Sequence, residues 1–400
     1  VGKSEEELRQ EPLAALVFKT LADPYVGRLS FLKVYGGVLK SDSTVYNANK
    51  GSEEKIGQPV VLQGKNQFPV PELPPGDMGA VAKLQVTTTG DTLTVKSSPV
   101  TLEGMGYPEP MLMVALRPKS KGDEDKLSNA LARLLEEDPT LRLTKNVETR
   151  ETILSVMGET HLEIAIERLR NKFGVEVETS VPKVPYRETI RGSVSRVEGK
   201  YKKQTGGRGQ DGHVFLDMAP LPDKEFEFTE TIFGGAVPKQ YIPAVEKGVR
   251  EAMQEGILAG YPVTNIKVNL ADGSYHPVDS SELAFKVAAG MAFRKALEQA
   301  NPVLLEPIMN VEVIVPEQFM GDIMGDLNGR RGRILGMEPR GNKQLIPAQV
   351  PLAEMFRYAI DLKSMTQGRS YFRMEFSHYE EVPAHIAEKI IQQAAKNKES

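Results

Sequence analysis

Five histidines are spread along the 400 residues, and one of them stands among acids. His276 follows Asp272 and precedes Asp279. An imidazole flanked by carboxylates can ligate a metal or move a proton. His161, beside Glu159 and Glu163, is a second candidate ligand, although capping or packing is the commoner use of such a residue. Neither group reads as a hydrolytic site, which needs oriented partners converging in a shielded pocket. The chain has no Ser-His-Asp spacing and no His-Glu-x-x-His pattern. A different chemistry is offered by residues 200–213, which include Lys202, Gly206, Gly207, Arg208, Gly209 and Gln210. Free backbone N–H groups, Arg and Lys beside Tyr201 suit phosphates and unstacked bases. The plain alternative is a flexible, solvated hairpin, and the Gly-Arg-Gly signal carries little alone.

Both sets need elements to hold them. Residues 263–270 alternate, with Ile266, Val268 and Leu270 on one side, and predict a strand. Residues 283–300 carry Leu283, Val287, Met291 and Leu297 at helical spacing, which predicts a helix. Asp279 and Glu282 stand three apart at its start and resemble a capping box. Gly273 allows a turn, and Pro277 pushes His276 towards an extended conformation. The expected product is a short, stiff loop that holds Tyr275 and His276 outward. A capped loop with no further task would have the same pattern.

Length predicts two to four domains. Hydrophobic content of 40% and charged content of 26% are ordinary for a globular protein. No apolar run approaches the length of a membrane span, and no basic-then-apolar leader opens the chain. With no cysteine there are no disulfides and no thiolate metal sites, which fits a reducing cytoplasm. A net charge of −4 and a pI near 5.9 exclude a general nucleic-acid coat, but not RNA contact through local basic clusters. Residues 1–4, Val-Gly-Lys-Ser, look like the tail of a phosphate-binding P-loop. That motif needs a preceding strand and glycine turn and a following helix, which Pro12 would stop. No Asn-Lys-x-Asp motif is present, and Asp322–Gly325 falls inside a helical pattern.

From 13 to about 102, short β-rich runs at 29–35, 44–47 and 80–86 predict a barrel or sandwich. Strands at 111–117, 141–145, 152–156 and 175–179, with helices at 124–137 and 162–173, give the order β-α-β-β-α-β of a ferredoxin-like unit. A helix is predicted at 242–255 and a strand at 213–218. The β-α-β-β-α-β order returns over 308–376, with strands at 308–315, 333–337, 345–350 and 371–376 and helices at 317–328 and 352–365. Arg330, Arg331, Arg333 and Arg340 cluster after its first helix, as a solvated basic turn or an RNA contact.

The two loops, in this order, resemble domain IV of the bacterial translocation factor elongation factor G. Residues 13–47 resemble its domain II, 157–164 (MGETHLEI) its domain III, and 306–341 its domain V. The resemblance implies a multidomain α+β chain: a β-barrel (1–106), a ferredoxin-like domain (107–183), a ribosomal-protein-S5-like tip domain (184–301) and a second ferredoxin-like domain (302–400). It implies the ribosome-engaging part of a translational GTPase, whose tip enters the decoding site while tRNA and mRNA move. Tyr275 and His276 would then contact the codon–anticodon region, and Lys202 and Arg208 would hold phosphates. Gly206, Gly207 and Gly209 would permit close approach beside Gln210, and Arg330 and Arg331 would meet large-subunit rRNA. No catalytic residue and no cofactor is expected in this chain. GTP and Mg2+ belong to a GTPase domain that it lacks, so the chain, starting without Met, is expected to be a fragment. A cytoplasmic monomer with no membrane partner is implied. The chain departs from the family pattern at 51–76, which is rich in Pro and uncharged residues, and at Thr160, Asp211 and Pro277. Those departures leave open a divergent paralogue for ribosome recycling or protection. A small-molecule kinase of the S5-like fold is the rival of another class.

Overall fold

Alternating runs split by Gly, Pro and Asp become, between Ala14 and Thr94, one eight-stranded sheet. The computed structural model describes every residue except Val1, Pro24, Tyr25, Thr205, Gly206, Arg208 and Ser400, together with the Glu399 side chain. The chain divides into two units, residues 1–182 with 356–373, and residues 183–355 with 374–400. In the first unit the sheet order is Ser52–Ile56, Ser43–Asn47, Thr92–Thr94, Ala14–Asp23, Gly27–Gly36, Met78–Ala82, Val60–Gln63, Asn66–Pro69. Ala15, Val17, Leu32, Val34 and Leu93 are buried in its core. The strand expected at 80–86 stops at Ala82. Lys83 takes a left-handed conformation (φ 63°), and the N–H groups of Gln85, Val86 and Thr87 turn to the buried carboxylate of Glu54. A short helix, Glu5–Arg9, does open near the N-terminus, capped reciprocally by Ser4 and Glu7. The cap occupies the Ser4 hydroxyl.

The same unit contains Leu112–Pro118, Glu124–Glu137, Arg142–Asn146, Glu151–Val156, Glu159–Phe173 and Val177–Ser180, in the order β-α-β-β-α-β. Its antiparallel sheet runs Arg142–Asn146, Glu151–Val156, Leu112–Pro118, Val177–Ser180. His161 lies in the first turn of the second helix. Its Nδ1 accepts the Met157 N–H at 3.1 Å and its Nε2 lies 2.7 Å from Asp138. Both ring nitrogens are therefore used in packing. The helix expected at 352–365 is a 3-10 turn, Leu352–Glu354, followed by Tyr358–Thr366. Tyr358 is fully buried edge-on to Phe372, and Lys363 Nζ donates to the Met157 carbonyl.

In the second unit, Pro302–Pro316 pairs with Lys343–Pro351, Tyr371–Glu381 and the short Arg187–Ile190 strand, and Arg333–Ile334 and Glu338–Arg340 pair with Lys343–Pro351. A second sheet runs Val194–Lys203, Gln210–Pro220, Ile266–Ser274, Phe226–Glu230. Helices Ile242–Met253 and Glu282–Gln299 bury one of its faces. The second helix lies almost on the sheet backbone. A Cβ on Gly199 would stand 2.2 Å from the Ala288 carbonyl oxygen, and one on Gly212 2.3 Å from that of Ala284. Small residues therefore face the sheet: Ala284, Ala288, Ala292 and Ala296 are buried beside Phe285 and Phe293. Leu283 and Met291, two of the apolar residues whose spacing predicts the helix, are 53% and 43% exposed.

Glu188 fixes the root of this sheet. Its buried carboxylate accepts the N–H groups of Ile257, Leu258, Ala259 and Tyr261 at 2.7–3.1 Å. A buried carboxylate with four backbone donors satisfies both itself and the turn that surrounds it.

Candidate RNA-contacting tip

The central strand was expected at 263–270 but runs Ile266–Ser274, because its pairing with Gln210–Pro220 continues to His213↔Ser274. Asp272 is thus a strand residue. Its carboxylate lies 2.9 Å from Arg196, and with the Gly273 N–H this partner holds its pKa below the usual carboxylate range. The acid pair suggested around His276 does not assemble. Only Asp279 is near, its Oδ2 3.6 Å from Nδ1. Nδ1 itself accepts the N–H groups of Val278 (3.3 Å) and Asp279 (3.1 Å). Its lone pair is occupied, so the ring presents Nε2–H to solvent rather than a metal-binding nitrogen.

Asp279 is not the helix cap. Ser281 holds that position and accepts the Ala284 N–H at 3.1 Å. The Asp-x-x-Glu spacing was misleading because a second good capping residue stands immediately before the helix. Asp279 instead joins the two loops. Its Oδ1 accepts the Gly209 N–H at 3.1 Å and its backbone carbonyl accepts the Asp211 N–H at 2.9 Å. Ser280 adds to the joint, donating from its hydroxyl to the Asp211 carbonyl and accepting from the His276 N–H. Gly209 must be glycine for this approach, since a Cβ there would lie 2.9 Å from the Asp279 carboxyl carbon.

The predicted site residues fall as follows. Tyr275 and His276 are exposed on one loop; Gly207 is exposed on the other, and Lys202 is exposed at the end of the strand that leads into it. Gly209 and Gln210 are half-buried at the hairpin base. Gly206 and Arg208 lie outside the described residues. Arg330 and Arg331 turn inward in the other domain of this unit. Arg330 pairs with Asp326 at 2.8 Å and donates to the Glu354 carbonyl. Arg331 makes two bonds to buried Glu306, at 2.6 and 3.0 Å, and a third to Glu354. The Glu306 hydrogen bond raises the Arg331 pKa further. Both guanidinium groups frame the basic turn, and Arg340 stands exposed beyond it.

Sequence reasoning missed one string of polar groups below the tip. His213 connects Ser274 Oγ (2.7 Å to Nδ1) with Glu198 (2.8 Å to Nε2). The order Ser-His-Glu suggests acyl chemistry, but the string lies across the outer face of an open sheet with Ser274 exposed. Without a shielded pocket it stitches three strands together. The residues are 61 and 15 positions apart in sequence, so no local motif announces them.

Among the described residues no helix is long and apolar enough to cross a membrane. Four family models match in succession: elongation factor G domain 2 over residues 12–96, domain III over 107–181, domain IV over 182–301, and the elongation factor G C-terminus over 303–390. A crystal structure of a protein from Thermus thermophilus is similar at 43% identity and a TM-score of 0.82. The match covers 98% of this chain and 59% of that one.

Proposed function

Because the chain belongs to the elongation factor G family and carries its domains II to V, we propose that it is the ribosome-engaging part of a translational GTPase whose tip enters the decoding site during tRNA–mRNA translocation. GTP and Mg2+ would act in a GTPase domain outside this sequence, and the factor would work in the cytoplasm as a monomer. The observation that supports the tip reading is the joint at Asp279, which makes two loops a single surface. A tip that must hold a codon–anticodon pair in place needs its contacts pre-set before encounter.

In this reading Tyr275 stacks and His276 donates from Nε2 to RNA. Lys202 and Arg208 take phosphates, and the flanking Gly206, Gly207 and Gly209 let the backbone approach beside Gln210. Arg330 and Arg331 shape the turn offered to large-subunit rRNA. We read the eight-stranded sheet as the barrel domain, the two β-α-β-β-α-β units as ferredoxin-like, and the tip domain as S5-like.

The test uses the factor with this chain joined to its GTPase domain. His276→Ala should slow single-round translocation about tenfold or more, as expected for the loss of a stack and a hydrogen bond. Ribosome-stimulated GTP hydrolysis should stay close to the parent's. Equal loss of both rates, or no loss of either, defeats the tip model. GTP hydrolysis by the parent without any translocation would point to the recycling or protection paralogue.

A further inference from the structure

The topology of the tip sheet sends a third loop to the same end. Phe226–Glu230 lies parallel to Ile266–Ser274, with Glu230 opposite Leu270. Both strands therefore run out together, where the hairpin between Val194–Lys203 and Gln210–Pro220 also turns. The chain that follows, residues 231–238, is anchored at both ends. Thr231 N–H donates to the Leu270 carbonyl at 3.0 Å, and Ile232 packs against the domain core. Val237 is buried, its methyl 2.5 Å from where a Cβ on Gly273 would stand, two residues before Tyr275 in the chain. Between the anchors, Phe233 to Ala236 close a turn through a 3.3 Å backbone bond. Gly234 and Gly235 have φ of +64° and +74°, the positive pair of a type I′ turn.

Phe233 is 93% exposed at the corner of this turn, more than any other large apolar residue described. The two glycines beside it have open space where side chains would be, so access to the ring is unobstructed. Lys239, also exposed, follows one turn later. The neighbours here are Thr231, two glycines and Lys239, with the Glu230 carboxylate bonded to the Ile232 N–H at 2.9 Å, so the ring lacks the surrounding apolar patch that forms the buried centre of a protein interface. A flat aromatic face in a polar setting, with Glu230 turned to the backbone and Lys239 exposed six residues on, suits an unstacked base and its phosphate. We infer that the Phe-Gly-Gly turn is a third RNA-contacting element of the tip. Phe233 stacks on an unpaired base and Lys239 neutralises a nearby phosphate. The inference rests on the tip reading above.

The test compares Phe233→Ala, Phe233→Leu and Phe233→Tyr in the complete factor, with His276→Ala run alongside. An exposed turn residue leaves the fold intact. Ala and Leu should each slow single-round translocation roughly 5- to 100-fold, the range for one lost base–aromatic stack, while Tyr stays within about twofold. A photoreactive benzoylphenylalanine at position 233 should crosslink to a nucleotide in the ribosomal complex. Full activity of the Leu variant, or a crosslink to ribosomal protein alone, would replace the stack with an apolar protein contact and overturn the inference. If His276→Ala slows translocation and none of the Phe233 variants does, the third contact fails and the tip reading stands. If neither residue matters, both are lost.

Discussion

Asp279 bonds to the glycine-rich hairpin through its carboxylate and to the His276 ring through its backbone N–H. Removing the carboxylate leaves the Gly209 amide without its partner, and a hydrogen bond to a charged group contributes about 1.5–3 kcal/mol. Asp279→Ala should therefore raise hydrogen exchange around Gly209 and Asp211 on the order of tenfold or more, with the thermal midpoint of the chain nearly unchanged. Asp279→Asn keeps an acceptor oxygen and should recover most of the protection. Unaltered exchange in the alanine variant would show that the hairpin is held some other way. Residue chemistry of this kind is hard to foresee from sequence. Asp279 has the spacing of a cap, and only the fold reveals that its partner lies 70 positions upstream.

Elements were more legible than the contacts between them. The helix Glu124–Glu137 was readable to its ends, because its apolar residues keep helical spacing and its first turn is acidic. The helix Glu282–Gln299 was placed to within one residue at each end, but the apolar residues that mark it in the sequence are not all ones that its packing buries. Counting large apolar residues picks Leu283 and Met291, whereas contact with a sheet backbone selects alanine opposite glycine. That contact has a testable cost. Gly212→Ala drives a methyl into the Ala284 carbonyl and should lower urea-unfolding stability by about 2–4 kcal/mol. Gly290→Ala is the control. It lies within the same helix, and its added Cβ would meet the movable end of Arg294 at 3.4 Å and the Gly248 carbonyl oxygen at 3.9 Å, an ordinary contact distance. Alanine there should be neutral or stabilising by up to about 1 kcal/mol. Equal effects at the two positions would contradict the packing argument.

At the scale of the molecule, the second unit carries an alkaline liability. Tyr186 lies edge-on to Tyr261, and burial, reinforced by the charge of Glu306, pushes its pKa up from 10.0 to about 12. The folded value exceeds the unfolded one. Its contribution to stability is therefore complete below pH 10 and is lost as pH rises through about 12. Urea unfolding of the parent should weaken more steeply across that window than unfolding of Tyr186→Phe, and parallel pH profiles would refute it. The same unit has a mechanical consequence. The strand Ile266–Ser274 begins beside the turn held by Glu188 and ends at the His276 loop. Its nine residues span about 30 Å. Paired on both sides along its length, such a strand is one stave of a stiff plate, and a load at its outer end is passed down to where the sheet is rooted. Part of that load reaches the turn around the buried Glu188 carboxylate, far from the exposed loops.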